Sequence, residues 1–412
     1  MKKYFLLLLV ACASAPAQTL KEMYANSVKA YKHHDYDLFL QWTKRLDSIR
    51  PAHPNYMYNL AGAYALTNKP DQAFQTLKKL LLTNNTVTFE QDSDFVSLRR
   101  LPDFEHLISL KKQLEMPVIT SEKVVTLNEK DLHPEGLVFL IKKKQWLAGS
   151  IRKGKIVAFD PETGKCTDWL DTDFSVFALK TDASEKYLWA ATSAMAEMEG
   201  FTPTMKGKAE ILKINIRTKA IEKRFSAAGE HVFGDLIVAK DGLVYVSDSD
   251  NPVVYKIEGQ DMKPWFNIAN KAGNFQGMCF NADQTSIYLA DYLNGIVEIQ
   301  TANPAKRRWL AFPDGATTKG IDGLAWHGNS LIAIHNGVKP IRIVRYFLDG
   351  RGNIAKHQVI DNNRPEFNEP TVPYILNDKC YFFANCPWPA YNKQHQPEAG
   401  KFENPMLYVF PL

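Results

Sequence analysis

Two hydrophobic periods divide the chain. Up to about Met116 the apolar residues recur every three to four positions, as on amphipathic helices; from Pro117 to the end they alternate with polar ones, as on half-buried strands. The clearest alternating unit is Gly320-Ile-Asp-Gly-Leu-Ala-Trp-His-Gly-Asn-Ser-Leu-Ile-Ala-Ile-His-Asn-Gly337. It predicts a β-hairpin: an apolar strand to Trp326, a tight His-Gly-Asn-Ser turn, and a second strand from Leu331 to Ile334. The same grammar appears around Gly234-Asp-Leu-Ile-Val, closing at Asp248, and around Gln276-Gly-Met-Cys-Phe, closing at Asp291 and Tyr292. Each copy has a polar residue ahead of its first strand and a polar cluster after its second.

Equivalent first-strand positions are Glu135, Phe177, Asp235, Gln276, Asp322 and Pro370, spaced by 42, 58, 41, 46 and 48 residues. Six units of that length, each with room for four strands, predict an all-β six-bladed β-propeller. The last unit has material for only three strands before the chain stops. Glu122-Lys-Val-Val-Thr-Leu127, which precedes the first unit and has no other partner, is the expected fourth. Such closure removes the open sheet edges. Surplus sequence at Ala194 to Lys208 and at Cys386 to Lys401 falls between second and third strands, so both insertions should rim the mouth where the first strands begin.

The helical stretch, residues 18–116, contains two units that overlay. Ala30-Tyr31 with Asp37 matches Ala63-Tyr64 with Asp71, and the two aspartates are 34 residues apart. With Leu60, Ala61 and Ala73 on the helices, this spacing resembles the tetratricopeptide repeat, Ala61 standing where the repeat usually has glycine. The segment from Asp92 to Phe104 resembles a closing helix. His33-His34 reads as a solvated turn, because adjacent residues point to different helix faces.

Composition adds the compartment. Lys2 and Lys3, the apolar run Phe5 to Cys12 and the small residues Ala15-Pro-Ala17 have the layout of an export signal over residues 1–17, with Cys12 as an alternative lipid anchor. A periplasmic or secreted protein follows. Removing that segment lowers the formal net charge from +5 to +3, which gives no basis for nucleic-acid binding. The apolar run is too short to span a bilayer. Cys166, Cys279, Cys380 and Cys386 read as small buried residues, not a disulfide framework.

Pro134-Glu-Gly-Leu-Val, Gly234-Asp-Leu-Ile-Val, Gln276-Gly-Met-Cys-Phe and Asp322-Gly-Leu-Ala-Trp resemble the gluconolactonase, senescence marker protein and luciferin-regenerating enzyme family, over residues 121–412. The resemblance implies a divalent cation, Ca2+ first, held by Glu135, Gln276 and Asp322 with Asp235 nearby. Two positions depart from the family: Gln276 replaces an asparagine, and Asp235 adds a charge where the family has a neutral amide. Lactone hydrolysis needs a Lewis acid, a water and a base. Asp322, Asp235 and His335 are the candidate catalytic residues. Asp248, Asp291, Tyr292, Asn336, Glu369, Asn385 and Trp388 fall on the same rim and are candidate substrate contacts. Asp-Gly steps also open tight turns for conformational reasons alone, which is the competing reading of Asp322.

The chain contains no Gly-x-Ser-x-Gly elbow, His-Glu-x-x-His, phosphate loop or dinucleotide fingerprint. The sequence therefore points to an exported, metal-dependent hydrolase of a lactone or small ester, with the helical repeats available to a protein partner. The alternative is a non-catalytic ligand-binding or interaction propeller using the same mouth.

Overall fold

The computed structural model describes residues 19–268 and 273–412. The expected export signal and Cys12 lie outside these residues. By compactness the chain forms two units: one runs to Leu80 and includes Thr88–Leu107, and the other takes Leu81–Val87 and Ile108–Leu412.

The helices are α1 (Leu20–Lys32), α2 (Tyr36–Ile49), α3 (Pro54–Leu66), α4 (Pro70–Thr83) and α5 (Pro102–Glu115), with a 3₁₀ turn at Ser93–Leu98. Local chemistry sets their starts. Thr19 and Glu22 form a reciprocal capping box on α1, the Asp35 side chain caps α2, and proline opens α3 and α4. The α1–α2 and α3–α4 turns are superimposable. His34 and Asn68, which are 34 positions apart, both take left-handed φ (57° and 56°), and the next residue of each bonds back to the Ala30 or Tyr64 carbonyl. His34 is exposed and its Nδ1 pairs only with the Tyr36 hydroxyl, in keeping with a solvated turn.

The second unit is a ring of six four-stranded antiparallel sheets, so the propeller expectation holds. The inner strands are Pro134–Leu140, Ser175–Thr181, Phe233–Val238, Phe275–Phe280, Ile321–His327 and Tyr374–Leu376. The expected closure is present: Glu122–Thr126 pairs with Met406–Pro411, with Val125 opposite Leu407. The turn at Gly328-Asn329 has φ of 47° and 56°, the all-positive two-residue geometry whose twist matches the strands it joins. Between blades the core is apolar. Val138, Leu147, Ile156 and Trp169 of blade one meet Val176, Leu179, Leu188 and Leu212 of blade two, each contributing about 1.5–3 kcal/mol of burial.

The last inner strand is short. Thr371 to Pro373 stay outside it, since Pro370 and Pro373 cannot donate to a ladder. Around blade five, the propeller unit captures orphan helical carbonyls of residues 81–87 and 108–116. The buried Arg342 guanidinium donates to the Leu82 carbonyl, and Asn362 Nδ2 donates to the Leu114 and Met116 carbonyls at 2.8 and 3.0 Å.

Candidate functional site at the upper mouth of the propeller

Five of the six inner strands carry one extra residue near their start. Register slips between Pro134 and Leu137, Val176 and Ala178, Phe233 and Asp235, Phe275 and Met278, and Ile321 and Gly323. Bulges re-aim side chains at the rims of sheets. The residues in or next to these slips, Glu135, Phe177, Asp235, Gln276 and Asp322, line a single cavity of about 240 Å³ at one end of the ring. Glu369, Asn336, Tyr292 and Trp388 line it as well.

The glycines after Glu135, Gln276 and Asp322 are not turn glycines, because none has a positive φ. A Cβ on Gly277 would stand 2.7 Å from the Asp322 carbonyl oxygen, and one on Gly323 would stand 2.8 Å from Val372 Cα. These positions therefore answer to the neighbouring blade's backbone, which passes too close for any side chain. This corrects the conformational reading of the Asp322-Gly323 step.

Electrostatically the cavity is one-sided. Burial, then Asp322, raises the Glu135 carboxyl well above its ordinary range; burial raises Asp322 to about 6; burial and Asp322 raise Glu369 to about 7. No Lys, Arg or His is among the described residues lining it. Neighbouring polar groups are oriented toward the carboxylates. Trp388 Nε1 donates to Glu135 Oε1 at 2.7 Å, and Asn336 Nδ2 donates to Asp322 Oδ2 at 2.6 Å. Asn336 Oδ1 is left buried without a partner. Gln276 Nε2 donates to Asn274 Oδ1 at 2.6 Å, which fixes the amide, and its oxygen accepts only a long hydrogen bond from Ser249 Oγ at 3.4 Å.

Several sequence candidates take other tasks. Asp235 reaches the cavity wall, but its oxygens accept the Leu236 and Met278 backbone N–H groups, both at 2.8 Å. It thereby joins blade three to blade four while still lining the cavity. His335, an expected catalytic base, is fully buried and does not line the cavity. Its ring bonds the Lys319 carbonyl and the Tyr346 hydroxyl, both at 2.9 Å, and burial lowers it to about 3. Asp248 and Asp291 are fully buried loop caps: Asp248 accepts from Asp250 and Asn251 N–H, and Asp291 from Leu293 and Asn294 N–H. Asn385 holds the last insertion by pairing with the Asn404 carbonyl and Met406 N–H. None of these three lines the cavity.

Among the described residues the donor set suits a hard divalent cation: oxygen atoms only, negative charge with no cationic side chain in the lining, and an orphaned amide oxygen. Glu135, Asp322 and Glu369 are the carboxylates that fit, with Asn336 or Gln276 supplying a neutral oxygen. Among the described residues, however, no three acidic, His or Cys groups stand at metal-holding spacing.

One contributor has no role in the sequence reading: Phe177 is an aligned strand position, yet its ring stacks on Trp388 at 6.1 Å. Glu369, expected as a substrate contact, lines the cavity with the carboxylates, and its left-handed φ of 56° is a cost that no residue pattern announces. The two insertions also meet, as His395 Nδ1 pairs with Glu197 Oε1 at 2.7 Å.

Among solved structures the chain is similar to a luciferin-regenerating enzyme, with 13% identity and a TM-score of 0.50, over 72% of this chain and 96% of that one. A calcium-binding protein, regucalcin, from Agrobacterium tumefaciens aligns with 14% identity and a TM-score of 0.48 over 71% and 94%. A gluconolactonase from Xanthomonas campestris aligns with 13% identity and a TM-score of 0.47 over 72% and 95%. At such identities the likeness is one of fold. No protein-family model matches the chain, and no curated protein matches it by sequence.

Proposed function

We propose that the protein is an exported hydrolase of a lactone or similarly small ester, dependent on a divalent cation, and that it works at the upper mouth. One observation supports this above the rest: Glu135, Asp322 and Glu369 face one small cavity with no cationic side chain among its described lining residues. A bound cation would balance that charge and polarise the ester carbonyl. Trp388 and Phe177 form an aromatic wall for the ring of a substrate, and Asn336 holds Asp322 in place. Glu369 accepts no hydrogen bond from a described residue, so both its oxygens are open to a water or a substrate hydroxyl. The helical region, with its 34-residue turn repeat, is proposed as a tetratricopeptide-like docking module for a protein partner.

One observation favours a binding propeller without turnover: Asp235 and His335, two of the three bases expected from sequence, are committed to structural bonds. A panel of lactones and esters assayed with Ca2+, Mg2+, Mn2+ and Zn2+ separates the two. Hydrolysis that chelation abolishes, and that Asp322→Ala lowers by about 10²-fold or more, supports the enzyme. A cation that raises Tm without turnover of any panel member supports the binding reading.

A further inference from the structure

The inner strands that aim carboxylates into the upper mouth end in a different chemistry at the other end of the ring. A second cavity of about 370 Å³ opens there, within the size range of small-molecule sites. All six blades contribute to it. Val138, Ile237, Met278, Leu324, Trp326 and Tyr374 form an apolar part of its wall, and Thr181, Asn281 and Gln284 a polar part. Trp326 is only half-buried and stacks on Tyr288 at 5.5 Å, so one ring face is supported from behind.

Among the described residues lining this cavity one is a cation, Lys180, next to the last residue of the second inner strand. Among the described residues it has no hydrogen-bond or ion-pair partner. The carboxylate that feels its charge is Asp235, whose oxygens are already held by two backbone amides. An ammonium facing a cavity without an ion-pair partner can be met by a ligand anion, which would supply that partner. No arginine lines the cavity, so nothing offers the bidentate donors that a phosphate favours. One positive charge beside an apolar wall segment matches one negative charge on a body with an apolar part.

We propose that the lower mouth is a second ligand site, which binds a small organic monocarboxylate with its carboxylate on Lys180 and its hydrocarbon part against Trp326, Leu324 and Ile237. The site is independent of the upper mouth and of any cation held there.

Octanoate is the probe, titrated calorimetrically into the full chain, with 1-octanol and inorganic phosphate as comparisons. Octanoate should bind saturably, roughly tenfold or more tightly than 1-octanol, since one charge-assisted hydrogen bond separates them. Phosphate should neither bind nor displace it, and chelation should leave its affinity unchanged. Lys180→Met, which keeps the length and loses the charge, should weaken octanoate about tenfold or more and leave octanol unaffected. Val238→Trp, placed at the cavity wall, should exclude octanoate with Lys180 intact. Should Lys180→Met fail to fold, Val238→Trp and the octanol comparison decide the matter. Absence of saturable binding to the unaltered chain, equal affinity for octanol, retention in Val238→Trp, or loss on chelation would each overturn the proposal.

Discussion

The residues that define the upper mouth are held in a costly state. Three carboxyls titrate above their ordinary range because burial and mutual repulsion disfavour their charged forms. In the unfolded chain they would titrate near 4, so between about pH 4 and pH 7 the folded state binds more protons than the unfolded one. Stability without a cation should therefore be greatest below about pH 4 as far as these groups are concerned, and should fall as pH rises toward 7. Glu369→Gln removes one of the charges: at pH 8 without metal it should stabilise the protein by about 1–2 kcal/mol and flatten the slope. Urea midpoints from pH 5 to pH 8 measure both effects. A pH-independent midpoint difference between the two proteins would show that Glu369 is not strained by its neighbours.

Between elements, closeness of backbones decides what is tolerated. Gly323 lies where the segment before the last inner strand crosses blade five, and an alanine Cβ there would stand 2.5 Å from Pro373 Cδ. Gly323→Ala should cost about 2 kcal/mol or more, because both partners are backbone or proline ring and neither can swing away. A thermal melt shifted by less than about 2 °C would contradict it. The closing strand makes a similar demand. Leu127 follows Glu122–Thr126, is fully buried, and packs in a cluster with Trp146, Phe383 and Leu407 from both ends of the propeller chain. Leu127→Ala should destabilise by about 2–5 kcal/mol, and denaturant titration should show one cooperative transition at a lower midpoint. A cost under about 0.5 kcal/mol would mean that the closure holds little of the ring together.

For the whole molecule, pattern and position had different sources. Alternation and spacing by themselves determined the hairpins, the six units and the closing strand, because side-chain period and turn chemistry are local and a truncated last unit leaves one strand without a partner. They also brought Glu135, Gln276 and Asp322 to equivalent positions. Only the tertiary structure decided which polar residues would be free. Asp235 and Asp322 look alike in sequence, each beside a glycine at the head of an inner strand, yet Asp235 meets the Met278 amide of the next blade and Asp322 meets the Asn336 side chain and a solvent-facing cavity. His335 reads as a polar strand end, but Tyr346 from the neighbouring strand closes over it. Lys180, unremarked in the pattern, is brought to a cavity by strands that lie up to about 200 residues away in the chain. A residue's period is written in its neighbours along the chain. Its hydrogen-bond partners and its charge environment are set by backbone from other blades, which no local pattern contains.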